Sequence, residues 1–132
     1  MPINQIAPLV VLLFGTQISS PAATPAPGVE RFYLGTYTSS GSLGIYQASL
    51  NLGTGAFGAT NLAATSSNPS FVALTPNHRF LYAVNESANT VSAFSVNPAS
   101  GSLTFLNSQP SNGGSPAHVV VDATGKQVIV AN

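Results

Sequence analysis

The sequence predicts an all-β fold, a β-propeller of four-stranded antiparallel blades with about two blades present. Three observations carry this. The stretch "NPSFVALTPNHRFLYAVNE", residues 68–86, returns near the end of the chain under a shift of 47 residues, placing Pro69 on Pro116, Phe71 on His118, Arg79 on Lys126 and Asn85 on Asn132. The repeat reaches backward as well. "GIYQASLNLGTGAF" matches "TVSAFSVNPASGSL" at a shift of 46, and the segments around Tyr33 and Tyr82 match at 49. A period of 46 to 49 residues with four short strands in each period is the signature of a propeller blade, whereas leucine-rich and ankyrin repeats are shorter and carry helices. Finally, charged residues make up only 5% of the chain against 44% hydrophobic, where about a quarter charged is usual. Gly, Pro, Ser, Thr and Asn punctuate the rest, so the chain is apolar strand separated by turn rather than disordered polymer.

Taken in order, the strands are "RFYLGTY", "GIYQASLN" and a segment over about 58–64, then "SFVALT" and "RFLYAVNE" around the turn "PNH". "TVSAFSVN" and "LTFLNSQ" follow across "PASGS", and "HVVVD" and "QVIVAN" flank "ATGK". β-Branched and aromatic enrichment between turn residues reads as strands and hairpins, and no stretch holds a helical period for three turns. With blade strands lettered A to D from the channel outward, residues 30–132 form an incomplete propeller: 32–64 supplies strands B to D, 68–109 one whole blade, and 115–132 strands A and B. That strand count leaves an unpaired edge at each end. The expectation is the N-terminal part of a longer chain, monomeric when whole and inactive as this piece.

Residues 1–29 differ in kind. The apolar run "LVVLLFG", Leu9 to Gly15, is too short to span a bilayer but suits the central region of a secretory signal, with a cut after Ala22 and an extended linker in "PAATPAPG". No Lys or Arg precedes Leu9, which departs from a standard signal. The expectation is an exported protein, periplasmic or extracellular, with no membrane insertion after processing; without a working signal it is cytoplasmic. The absence of cysteine removes disulfide and thiolate metal chemistry. Three basic against three acidic residues leave no footprint for nucleic acid. No phosphate loop, serine elbow or His/Asp metal spacing occurs, and no cofactor is expected.

Strand direction sorts the few ionisable residues. Starts of A and ends of B share one rim, which receives Tyr37, Glu86 and His118. Arg79 and Lys126 fall in A–B turns and Arg31 near the start of a B strand, on the opposite rim.

At "YLGTYTSSGSLGIYQASLN", "NPSFVALTPNHRFLYAVNE" and "GSPAHVVVDATGKQVIVAN" the chain resembles the lactonase-type propellers, which include 6-phosphogluconolactonases and carboxy-muconate lactonizing enzymes. The resemblance covers Phe32 to Asn132. It implies a seven-bladed propeller that opens a lactone ring, with the family's catalytic His, Glu and Arg largely in later blades. It also shades into YVTN-type repeat proteins, for which "GKQVIVAN" is equally suited, so a non-catalytic exported propeller binding a glycan or protein partner is the alternative.

Opening a lactone needs a base for water, a donor for the carbonyl oxyanion and a group that binds the substrate. His118 is the candidate base because imidazole titrates near neutrality. Glu86 is the candidate for orienting it or binding sugar hydroxyls, and Tyr37 for donating to the oxyanion. Each also has a purely structural role open to it: His118, standing where the previous repeat has Phe71, packs at the channel wall; Glu86 caps a turn; Tyr37 packs as an amphipathic ring. No cation shares their rim, so nothing in this part of the propeller holds a substrate phosphate by charge. The expected substrate is therefore a sugar-derived lactone, not specifically the 6-phospho compound.

Overall fold

The computed structural model describes residues 28–132. The signal and linker expected over 1–29 fall almost wholly outside them. The chain folds as three antiparallel sheets: β1 (Val29–Leu34), β2 (Gly44–Asn51) and β3 (Asn61–Thr65); then β4 (Pro69–Leu74), β5 (Phe80–Asn85), β6 (Thr90–Val96) and β7 (Leu103–Pro110); then β8 (His118–Val121) and β9 (Val128–Ala131). Within each sheet the strands lie side by side in chain order. This is the all-β, partial-propeller architecture expected from the repeat.

The central sheet explains why its strands read as unbroken apolar runs. Successive side chains of a strand point to opposite faces. Along β5, Leu81 and Ala83 enter a core with Tyr33 and Ile45 of the first sheet and with Val72 and Phe94, while Val84 joins Ala73 and Val119 in a second core toward β8 and β9. Leu81, Ala83 and Val84 are all fully buried. A sheet packed on both faces has no solvent side to make polar. Phe94 fills the first core, edge-on to Phe105 with ring centroids 5.7 Å apart.

Several boundaries differ from those read in the sequence, among them the end of the first strand, which stops at Leu34, three residues short of Tyr37. The first strand begins at Val29, because Val29 pairs with Asn51 and the Leu52 N–H donates to the Gly28 carbonyl at 2.6 Å. The third begins at Asn61 rather than near residue 58. Upstream, the Asn51 side chain accepts from the N–H groups of Gly53 and Thr54, and Phe57 makes only an isolated bridge to Leu50. Asn51 thus diverts the chain into a wide turn before pairing resumes.

On the rim opposite Tyr37 and Glu86, the first sheet grips the β6–β7 turn by its carbonyls. Arg31 donates through Nη1 to Pro98 (3.2 Å) and through Nη2 to Ala99 (3.0 Å), Gln47 donates to Ser100 (3.2 Å), and Tyr33 donates to Gly101 (2.7 Å). Gly101 suits this seam in two ways. Its φ of +75° favours glycine, and a Cβ there would overlap the side chains of Arg31 and Gln47.

Burial pushes the Tyr33 phenol from 10.0 up to about 12, against a smaller opposing pull from Arg31. A phenol whose folded pKa is raised adds stability that is complete below its unfolded value and lost as pH climbs through the folded one. The urea midpoint should therefore fall as pH rises from 10.0 toward about 12, and Tyr33→Phe should flatten that decline. An unchanged alkaline slope in the variant would show that Tyr33 does not cause it. Phe94→Ala should cost about 3–5 kcal/mol by emptying the first core, read from the same denaturation curves.

Candidate functional site

Two short 3-10 turns build the rim, and neither was foreseen in the sequence. One, Thr38–Ser40, follows β1 and is closed by Gly41 at φ +94°. The other, Glu86–Ala88, follows β5 and is closed by Asn89 at φ +55°. Glycine and asparagine are the residues that accept this left-handed position cheaply. Tyr37 is the cap residue before the first turn and Glu86 opens the second. They are also repeat mates, at a shift of 49.

The structure brings these two together. The Tyr37 hydroxyl donates to Glu86 Oε2 at 2.8 Å, bridging the first and second sheets. Gly35 makes the approach possible, since a Cβ at that position would overlap the Pro69 carbonyl oxygen at the start of β4. The hydrogen bond to Glu86 raises the Tyr37 pKa, aided by partial burial and the carboxylate charge. Ser70 lies near enough to oppose this slightly, yet its buried hydroxyl is outside hydrogen-bonding geometry and has no partner. Tyr37 is 46% exposed, so water screens the pair and its contribution to stability is small.

His118, the first residue of β8, stands apart from them. Its ring rests on Phe71, centroids 4.3 Å apart and planes tilted by 54°. This too is a contact between repeat mates, at a shift of 47. The residue is nevertheless exposed. No hydrogen bond links it to Glu86 or Tyr37 among the described residues. Arg79 and Lys126 lie in the β4–β5 and β8–β9 turns at the other rim, and Arg31 is engaged with the β6–β7 turn there.

Beside the Tyr37–Glu86 pair lies a shallow groove of about 450 Å³ lined by Thr38, Ser42, Leu43, Thr65, Ser66 and Ser67. Five of its six lining residues carry a hydroxyl and none carries a charge, while most of the surface they present to it is apolar. Below it, buried Asn85 ties three hydroxyls together: its Oδ1 accepts from Ser66 (2.7 Å), and its Nδ2 donates to Thr90 (3.0 Å) and Ser92 (2.6 Å). Among the described residues no group of three or more His, Asp or Glu is placed to hold a metal ion.

With this geometry in view, comparisons with known proteins are informative. The family model "Lactonase, 7-bladed beta-propeller" matches residues 31–132. A 6-phosphogluconolactonase of Bacillus subtilis (strain 168) is 41% identical over 102 residues, covering 76% of this chain and 29% of the relative. Among solved structures, a candidate 6-phosphogluconolactonase from Bacteroides fragilis superposes with a TM-score of 0.73 at 32% identity, over 84% of this chain and 31% of that one. A periplasmic gluconolactonase of Pseudomonas aeruginosa gives a TM-score of 0.72 at 25% identity, over 79% and 31%. The chain thus spans under a third of the length of each of these proteins.

Glu86→Ala should return the Tyr37 pKa toward its ordinary value of 10.0, because the raised value comes first from the hydrogen bond to that carboxylate. Tyrosine ring-carbon NMR, with the Tyr37 signal assigned by Tyr37→Phe, measures this directly. A Tyr37 titration identical in Glu86→Ala and the parent would show that the pair does not form in solution.

Proposed function

The chain belongs to the lactonase family of seven-bladed β-propellers, and from that premise we propose that the whole protein is a lactone hydrolase acting on a sugar-type lactone. The observation that carries this reading is the carboxylate of Glu86, held by the Tyr37 hydroxyl across two sheets; His118 joins the proposal on strand direction alone. His118 acts as general base. Its neutral imidazole takes a proton from water as the oxygen attacks the lactone carbonyl, then returns a proton to the ring oxygen as the carbon–oxygen bond breaks, leaving a hydroxy acid. Glu86 binds substrate hydroxyls. Tyr37, whose proton is engaged by Glu86, acts by holding that carboxylate in place, in preference to the oxyanion role expected from the sequence.

The substrate we favour carries no phosphate, as no cation of this segment shares the rim with Tyr37, Glu86 and His118. The name of the Pseudomonas aeruginosa relative, a periplasmic gluconolactonase, supports both an unphosphorylated sugar lactone and export. The hydroxyl-lined groove beside Tyr37 favours a second reading, an exported propeller that binds a glycan without turning it over.

The test is turnover by the full-length protein of a panel of aldonolactones, with and without a 6-phosphate. Opening of the unphosphorylated compounds is expected. His118→Ala and Glu86→Ala should each lower the rate by about tenfold or more, the lower range of general acid–base effects. Full activity in both variants would remove these residues from the mechanism. A panel left wholly unopened, together with binding on a glycan array, would decide for the second reading.

A further inference from the structure

We infer that Asn68 is the positioning residue of this site, the group that sets Tyr37 and Glu86 at hydrogen-bonding distance. The inference rests on the functional reading above for its catalytic meaning, but its geometry stands alone. Asn68 lies in the junction between β3 and β4, ahead of Pro69, and reaches both 3-10 turns. Its Oδ1 accepts from the Thr38 N–H at 2.7 Å and from the Thr38 hydroxyl at 3.0 Å. Its own N–H donates to the same Thr38 hydroxyl at 3.2 Å. Its Nδ2 donates to the Ser87 hydroxyl at 2.6 Å. Its carbonyl accepts from the Glu86 N–H at 3.2 Å. Thr38 and Ser87 are the residues directly after Tyr37 and Glu86. One side chain therefore holds both turns, through the N–H and hydroxyl of Thr38 on one and the hydroxyl of Ser87 on the other, each one residue from a member of the pair.

The backbone supports the same conclusion. Asn68 has φ +44°, a conformation uncommon outside glycine though enriched in asparagine. Its repeat mate Ser115 has φ +51°, so the left-handed turn before proline belongs to the repeat. The carboxamide belongs to position 68 alone. Ser115 makes a different contact, its N–H donating to Asn89 Oδ1 at 2.7 Å. A primary amide, with one acceptor and two donors, is what joining a threonine on one turn to a serine on the other requires. A serine at this position is too short to span both.

Asn68→Gly removes the three carboxamide bonds, keeps the two made by the backbone of residue 68, and suits the left-handed backbone, so the fold is retained. Asn68→Ser provides a second variant whose backbone tolerance is demonstrated by Ser115. In both, the Tyr37 titration followed by ring-carbon NMR should fall toward that of Glu86→Ala, with the thermal midpoint close to the parent. In the full-length protein, kcat on an opened lactone should drop by about tenfold, as expected when a catalytic group loses its alignment, with KM little changed. A Tyr37 titration that stays at the parent value in both variants, while Glu86→Ala lowers it, would overturn the inference. A parent protein that opens no lactone would sink the functional reading instead, and the NMR result would still decide whether Asn68 sets the pair.

Discussion

The described fold depends on a central sheet whose inner strands are apolar on both faces. β5 sends Leu81 and Ala83 to one side and Val84 to the other, and all three are buried, so the central sheet is stable only with a neighbour against each face. Packing of that kind admits little tolerance in spacing. It brings backbone to backbone at Gly35 and Pro69, and seats the β6–β7 turn on Arg31, Tyr33 and Gln47. This apolar contact brings the polar groups of both rims within reach of one another, and the hydrogen bonds of residues such as Asn68 then fix their final placement.

The site is a product of the same stacking. When one blade is laid on the next, equivalent positions become neighbours. Tyr37 meets Glu86, and Phe71 meets His118, each pair being the same place in two successive repeats. A repeat of identical residues would make rows of like groups. Divergence at these positions converts the row into a donor facing an acceptor, and a phenyl ring supporting an imidazole. Chemistry in such a fold is written in the differences between repeats, while the similarities maintain the scaffold.

That distinction also explains what could be read in advance. Strand order and pairing were legible because they depend on period, alternation and turn residues, which are properties of short segments. The contact between Tyr37 and Glu86 was not, since it depends on how closely two sheets approach, and nothing local in "LGTY" announces that Gly35 faces a carbonyl. The turns at Thr38–Ser40 and Glu86–Ala88 are three residues long and have no periodicity to detect. Asn68 heads the repeat but carries no local signal of its role, because its partners lie 30 and 19 residues away. The wide turn that delays β3 was similarly hidden in a single side chain, Asn51, competing with the ladder for backbone donors.

The grip of the first sheet on the β6–β7 turn has a consequence in brine. Arg31 is the only charged member of that seam, and its partners are peptide carbonyls rather than a carboxylate. Salt dissolves attractions between opposite full charges over about 10 Å at 0.1 M, but a short hydrogen bond to a dipole and the neutral bonds of Tyr33 and Gln47 leave it little to screen. A seam made this way holds the two sheets together equally in dilute and in concentrated surroundings, so the ionic composition of the medium is free to vary without loosening the joint.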